Sequence, residues 1–342
     1  MSTRGPYTTG SLAEIARRAG VSTATASRVL NHSPRVRPGT RHAVLKALND
    51  LQGVAKASET MTIGVCVNDF HDDRLNHMYM QDLFAGILQS AHRLDFAIKA
   101  IDLQAERRTD ETYPQAVMRL GLGGLIHLMP LEDFFGPIAE IADTGFPQCI
   151  IGGKMNHPKV NWIDPENIES SCKAVEYLLH LGHRRIAFVA VDVSQYDIGE
   201  RLAGYKLALA GAGIPFDPAL KVVRRHATLD MGVSAMTELL TRPDRPTAVY
   251  FTNNELALGG VRACRKLGVA IPEEVSIISI GDSKMAEWIT PQLTLLSQPV
   301  FEIGRRAALS LATQVRHGEG PIFHEVVSPE FMINESTGPV KA

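Results

Sequence analysis

Between Ser11 and Asn31 the chain reads SLAEIARRAGVSTATASRVLN, and the chemistry on offer is hydrogen-bond donation, not nucleophilic attack. Thr23, Ala24, Ser27 and Arg28 share one side of a helical pattern, and Ala26, Val29 and Leu30 share the other. Small side chains flanking an arginine let a helix approach base edges in a major groove, with the guanidinium able to pair bidentately with guanine. Ser11 followed three residues later by Glu14 reads as a capping box opening a first helix. Leu12, Ile15, Ala16 and Ala19 form its apolar face. Gly20 ends it where a left-handed residue costs little, Val21 plugs the turn and Ser22 caps the second helix. The segment is therefore expected to be a helix-turn-helix. Its candidate DNA-contacting residues are Ser11, Ser22, Thr23, Ala24, Thr25, Ser27, Arg28 and Asn31.

Behind it, NHSPRVRPG is a turn-rich loop, and Thr40 is expected to cap a third helix through Leu51 with Val44, Leu45, Leu48 and Leu51 on one face. Arg35, Arg37 and Arg41 surround the start of that helix, where backbone N–H groups also favour an anion, so they are candidate phosphate contacts. Residues 1–58 carry nine Arg or Lys against two acids, whereas the whole chain has a net charge of −2. A basic head on an acidic body fits a phosphate-binding module joined to a domain that stays off DNA.

The 342 residues are enough for two or three domains, and 45% hydrophobic residues is ordinary for a globular protein. No apolar run is long enough to span a membrane, and MSTRGPYTTG lacks the apolar core of a signal peptide, so a cytoplasmic protein is expected. Cys66, Cys149, Cys172 and Cys264 show no pair spacing and read as buried thiols in a reducing compartment. His71 and His77 have no third ligand near them, so neither a metal nor any other cofactor is expected.

From Met61 onward, apolar runs alternate with helical patterns, which predicts an α/β body of parallel sheets in two similar halves. The strands are 62–68, 96–102, 123–130 and 147–153, then 184–191, 222–227, 247–252, 275–282 and 293–299, with closing strands over 324–334. The fold class is thus an all-α head plus an α/β body, whose default ligand site is the cleft at the strands' C-terminal ends. The expected domains are a head over 1–52, a short hinge over 53–61 and a ligand-binding body over 62–342. The body divides into a first lobe (62–162 with 291–319) and a second lobe (163–290 with 320–338).

Several blocks, in this order and at these spacings, resemble the lactose/galactose repressor (LacI/GalR) family of bacterial transcription regulators. They are AEIARRAGVSTATASRVLN, GHRRIAFV (182–189), RLAGYKLAL (201–209), NNELALGGVRACRKLGVAIPEEVSI (253–277) and ITPQLTLLSQPVFEIGRRAA (289–308). The resemblance covers nearly the whole chain. It implies a two-lobed body like the type I periplasmic sugar-binding proteins, a homodimer on operator DNA, and a small effector that shifts operator affinity. On it, Thr23 and Ala24 occupy the main base-reading positions and Arg28 a later one. Arg201 matches the cleft arginine, Asn253 a pocket-lining loop, and Trp288 a possible cleft wall. Asp69, Phe70 and Arg74, in the loop leaving the first strand, are candidates for the cleft mouth.

Two departures stand out. Only eleven residues separate Leu51 from Ile63, with no Pro-Asn start, so a hinge leucine inserted into the minor groove is in doubt. Where the family reads Gly-Phe-Asp-Asp, this chain reads SIGD (279–282), so Gly281 replaces the first aspartate and only Asp282 remains. Losing a carboxylate beside Arg201 resembles the gluconate-type regulators and leads to an expectation of an acidic sugar effector, with a neutral sugar held by Asp282 as the alternative.

A periplasmic-type sugar-binding protein would share the body but not the helix-turn-helix. A nucleotide-dependent enzyme would need a GxGxxG or Walker A run after a strand, and none is present, so no enzymatic turnover is expected. For the head, Arg28→Ala should cost about 1–3 kcal/mol of operator affinity and relax specificity at one base position. Gel shifts on operator and random DNA check this, because equal losses on both would refute a reading role.

Overall fold

The computed structural model describes residues 9–30, 36, 40, 43–44, 47–48, 62–67, 78–191, 196–284, 288–318 and 320–341, with residues 9–11 as backbone only. Helix α1 spans Thr9–Arg18 and α2 spans Thr23–Leu30. The first helix begins two residues before Ser11, so the Ser11 backbone lies inside its first turn and not at the capping position expected for it. Glu14 instead turns toward the basic side: its carboxylate takes Arg17 Nε at 2.8 Å and Arg18 Nε at 3.1 Å. Gly20 adopts φ 66°, and the N–H of Val21 returns to the Ala16 carbonyl at 3.0 Å, closing the tight turn. Ile15, Ala16, Ala26 and Val29 are buried together with Val44, Ala47 and Leu48, so the described part of the third helix covers the first two as expected. Thr40 is itself helical and so is not a residue outside the helix that caps it. Leu45, Leu51 and the hinge segment lie outside the described residues.

In the body, β1 (Thr62–Cys66), α3 (Met78–Arg93), β2 (Ala97–Ile101), α4 (Leu103–Glu106), α5 (Tyr113–Leu120), β3 (Gly124–Leu128), α6 (Phe135–Asp143), β4 (Gln148–Ile151) and β5 (Asn161–Pro165) follow one another. After these come α7 (Ile168–His180), β6 (Ile186–Ala190), α8 (Tyr196–Gly211), β7 (Lys221–Val223), α9 (Leu229–Leu240), β8 (Ala248–Phe251), α10 (Asn254–Leu267), β9 (Ser276–Gly281) and β10 (Thr294–Ser297). The chain closes with α11 (Val300–His317), β11 (His324–Val327) and β12 (Glu330–Met332). Local chemistry sets many of these ends. Thr112 and Gln115 form a reciprocal capping box at α5, Pro114 sits in its first turn, and left-handed Gly121 stops it.

Among the described residues two six-stranded sheets result, ordered β11-β5-β4-β3-β1-β2 and β12-β10-β9-β8-β6-β7. All neighbours run parallel except β10 and β12. Central strands such as β3, β6 and β9 are buried along their whole length, as sheets covered by helices on both faces require. The sheets differ from the expected lobes at the C-terminal end. Strand β10 pairs with β9 and β12 in the second sheet, and β11 pairs with β5 in the first. The part that returns to the first lobe is therefore α11 through β11, not 291–319. The cause is side-chain fit. Asn161 and Gln314 exchange amide hydrogen bonds at 2.8 and 3.1 Å, which fixes α11 against β5. His324 stacks on Trp162 at 4.8 Å, which seats β11. The expected strand over 222–227 stops at Val223, where Arg224 turns out to pair with Glu238 at 2.6 Å.

Glycine sets how closely the covering helices pack. A side-chain carbon at Gly86 of α3 would run into the Phe301 carbonyl of α11, and one at Gly304 into the Leu83 carbonyl. Gly232 and Gly259 do the same between α9 and α10, and Gly204 lets α8 approach Ile168 and Ser171 of α7. The backbones there are too close for even a methyl group. Gly86→Ala should therefore cost about 1–3 kcal/mol in urea unfolding. Gly136→Ala, where nothing lies within 4 Å, should be neutral or stabilising in the same measurement.

Candidate DNA interface and interlobe cleft

Helix α2 buries Ala26 and Val29 and turns Ser22, Thr23, Ala24 and Arg28 outward, with Thr25 and Ser27 half-buried between. Ser22 Oγ accepts the Thr25 N–H at 3.2 Å and meets its hydroxyl at 2.9 Å, so Ser22 caps α2 as expected and Thr25 helps hold that cap. Arg17 and Arg18 are tied to Glu14, whose pKa these hydrogen bonds lower to about 2. Among the described residues no carboxylate pairs with Arg28. Asn31, Arg35, Arg37 and Arg41 lie outside the described residues. So do Asp69, Phe70 and Arg74 of the expected cleft mouth.

In both lobes the ends of the parallel strands, and the helix starts that follow them, bring polar groups together. Arg201, on the first turns of α8, is buried, and each of its three nitrogens has an acceptor. Its Nε donates to Asn167 Oδ1 at 3.0 Å, Nη1 donates to the Thr252 carbonyl at 2.8 Å, and Nη2 sits 3.0 Å from Asp197 Oδ2. From the first lobe, Lys154 after β4 reaches across to Glu200 at 2.8 Å and lies 5.8 Å above the Tyr196 ring. Burial works against the Lys154 charge, but Glu200 and Asp164 outweigh it and hold its pKa above the ordinary lysine value.

Asp164, at the end of β5, is fully buried, and neither carboxyl oxygen has a hydrogen-bond partner. Lys154 Nζ stands 3.3 Å from Oδ2 in an ion pair without hydrogen-bond alignment. Desolvation pushes the Asp164 pKa up to about 7. Tyr79, at the start of α3, faces this cluster, and burial beside Asp197 and Asp164 raises its phenol although Arg201 pulls the other way.

Three expected cleft residues fall into different roles. Asn253 is the cap of α10: its Oδ1 accepts the Leu256 N–H at 2.9 Å and its Nδ2 donates to Glu255 at 2.6 Å, so its amide is already spent. Asp282 is buried and accepts the Lys284 N–H at 2.6 Å, with its carboxyl turned toward Asp82 of the first lobe. Trp288 is 72% exposed, so its ring does not wall the cleft in this arrangement. Gly281 is where it is for space: a Cβ there would lie 2.7 Å from the Asn254 side chain, which Ser279 Oγ and the Asp282 carbonyl hold in place.

Sequence reasoning missed Tyr79, Lys154, Asp164, Asn167, Asp197 and Glu200. The available signal was position, because each follows the C-terminal end of a parallel strand or opens the helix after it. The charges also run against an acidic ligand. Asp82, Asp164, Asp197, Glu200 and Asp282 face Lys154, Arg201 and Lys284 among the described residues, so the missing carboxylate at Gly281 does not leave a cationic pocket.

Residues 11–52 match the bacterial regulatory proteins of the lacI family, and residues 175–337 match the periplasmic binding protein-like domain. The chain is 28% identical over 345 residues to the transcriptional repressor CytR of Escherichia coli, covering 98% of this chain and 99% of that protein. The structure is similar to that of the transcriptional regulator CelR in complex with cellobiose (28% identity, TM-score 0.68, 95% of this chain and 99% of that chain). It is also similar to a LacI family regulator from Enterococcus faecium with bound ribose (27% identity, TM-score 0.70, 82% and 100%). The chain belongs to the LacI family. As a member, it is a DNA-binding transcriptional regulator and not an enzyme. No helix among the described residues is long and apolar enough to cross a membrane.

Asp164 supplies a pH test of the cleft. Its folded-state pKa of about 7 lies above the ordinary aspartate value, so the folded state binds its proton more tightly than the unfolded state does. Its contribution to stability is therefore complete at acid pH and lost as pH rises through about 7. Comparing urea unfolding at pH 5 and pH 8, wild type should lose about 2–4 kcal/mol more than Asp164→Asn. Equal losses would show that the Asp164 environment is not the dry one seen here.

Proposed function

We propose that this regulator represses a carbohydrate-catabolic operon from the bacterial cytoplasm, where it joins the nucleoid when bound, and that a neutral, hydroxyl-rich sugar in the interlobe cleft sets its operator affinity. The observation that carries the reading is the Arg201–Asp164–Lys154 cluster, in which a buried guanidinium, a buried carboxyl without a hydrogen bond and a lobe-bridging ammonium are linked through Asn167 and Glu200. Donors and acceptors in alternation match sugar hydroxyls, each of which both donates and accepts. An aldonate or uronate would bring a further negative charge to a site where carboxyls outnumber cations, at a cost that water exclusion enlarges. The cellobiose and ribose bound by the two similar regulators agree with a neutral ligand.

In this reading the head spans 1–52, the hinge 53–61 and the ligand-binding body 62–342. Thr23, Ala24, Ser27 and Arg28 read bases, with Ser11, Ser22, Thr25 and Asn31 beside them and Arg35, Arg37 and Arg41 on phosphates. Arg201 and Asp282 serve the cleft together with Asp69, Phe70 and Arg74 at its mouth. A homodimer places two heads on a pseudo-palindromic operator and raises affinity through effective concentration. The exposed apolar side chains Leu88 on α3 and Trp288 beyond β9 suit its face, because the 2.7 Å Lys284–Asp82 bridge brings those two regions of the lobes together.

Calorimetry of the full chain against cellobiose, ribose, gluconate and glucuronate tests the ligand class. A neutral sugar should bind, and Arg201→Ala should abolish that binding. Tight binding of gluconate with no response to either neutral sugar would sink the proposal.

A further inference from the structure

The cleft holds a second lobe-to-lobe bridge besides the Lys154–Glu200 contact. Asp82, on the second turn of α3, and Asp282, directly after β9, have their carboxyls in hydrogen-bonding contact across the lobes. Lys284 serves both: its Nζ lies 2.7 Å from Asp82 Oδ2, and its backbone N–H donates to Asp282 Oδ1 at 2.6 Å. Asn254 holds the loop from below, donating to the Asp282 carbonyl at 2.7 Å while accepting the Ser279 hydroxyl at 2.7 Å. Among the described residues, the other charged groups around this point have their own partners. Glu255, opening α10, accepts the Met78 N–H at 3.4 Å, and Glu302 of the neighbouring α11 is covered by Arg305 and Arg306.

Two carboxyls cannot stay in contact if both are ionised and only one ammonium faces them. With one proton between them they form a short O–H···O⁻ bond, and Lys284 covers the remaining charge. We propose that this pair is a proton latch, which holds the lobes together while it carries one proton and releases them when that proton leaves. The proposal rests on the cleft being the effector site, since the latch then regulates that site.

Burial and the neighbouring Asp82 push Asp282 up to about 6, whereas Asp82, in contact with Asp282 and Lys284, stays below the ordinary range. When the lobes part, both carboxyls regain water and ordinary acidity, so the joined state binds the proton more tightly. Rising pH from about 4 to about 6 therefore favours separation, by about tenfold in the separated-to-joined ratio per pH unit for one linked proton, and the ratio levels off above about 6.

Spin labels at Asp133→Cys and Asp230→Cys report the lobe separation in the full chain. One exposed site lies in each lobe, and the four native cysteines are buried. Labelled protein is diluted with unlabelled protein so that only distances within one subunit contribute. Wild type should give one short distance at pH 4.5 and a longer component that grows up to about pH 6 and persists at pH 8. Asp82→Asn and Asp282→Asn should keep the short distance at both pH values, because an amide N–H replaces the shared proton. An identical distribution at both pH values in wild type, or a wild-type shift persisting in both asparagine variants, would overturn the latch. The measurement needs no effector, so a protein that bound none of the sugars would fail the functional reading and leave this result standing.

Discussion

Enclosing the Arg201 guanidinium between two lobes removes its water, and a buried cation without partners would cost several kcal/mol. The structure answers with three acceptors in three directions: an amide, a backbone carbonyl and a carboxylate. Those acceptors belong to α7, the end of β8 and α8, so holding one charge fixes the relative positions of three elements of the second lobe. The rest of the cleft grows from that arrangement. Asp197 and Glu200 lie on the same helix, Glu200 draws Lys154 across from the first lobe, and Lys154 in turn lies beside the otherwise unpartnered Asp164.

Rigidity and movement are separated by chemistry. Inside each lobe, helices meet through glycines with no room for a methyl group, and the strands between them are buried and mostly apolar. Close-packed surfaces of this kind resist gradual deformation. Between the lobes the contacts named above are instead polar and few: Lys154–Glu200, Lys284–Asp82, Asp82–Asp282 and Glu255 with the Met78 N–H. Water can replace such contacts when they break, so a ligand that binds one lobe arrangement better can shift the balance between arrangements. Three chain crossings, after β5, after β10 and after β11, are the covalent links around which that shift takes place.

The head and the element order were legible because their signals are local. Gly20 adopts the left-handed turn its position suggested, the outward side of α2 carries Thr23, Ala24 and Arg28, and α5 spans Tyr113–Leu120 as its periodicity indicated. Two local readings failed for reasons of reach. Helix α1 starts at Thr9, before Ser11, and Glu14 prefers two nearby guanidinium groups to a backbone N–H. In the body, β10 and β11 changed sheets relative to expectation: β10 stays with its near neighbours β9 and β12, whereas β11 pairs with β5, well over a hundred residues away, beside the Asn161–Gln314 contact.

By itself, the sequence determined the helix-turn-helix, the alternating α/β body, the family and the importance of Arg201, since each is written in neighbouring residues or in a motif. Only the tertiary structure decided what surrounds that arginine. Lys154, Asp164 and Glu200 lie 10 to 46 positions apart, and no spacing rule joins them; they meet because parallel strands from two sheets end in one cleft. For the same reason the charge of the pocket could not be judged from Gly281 alone. A missing carboxylate suggests a cationic site only until the folded chain sets Asp82 beside Asp282 and gathers Asp164, Asp197 and Glu200 around Lys154 and Arg201.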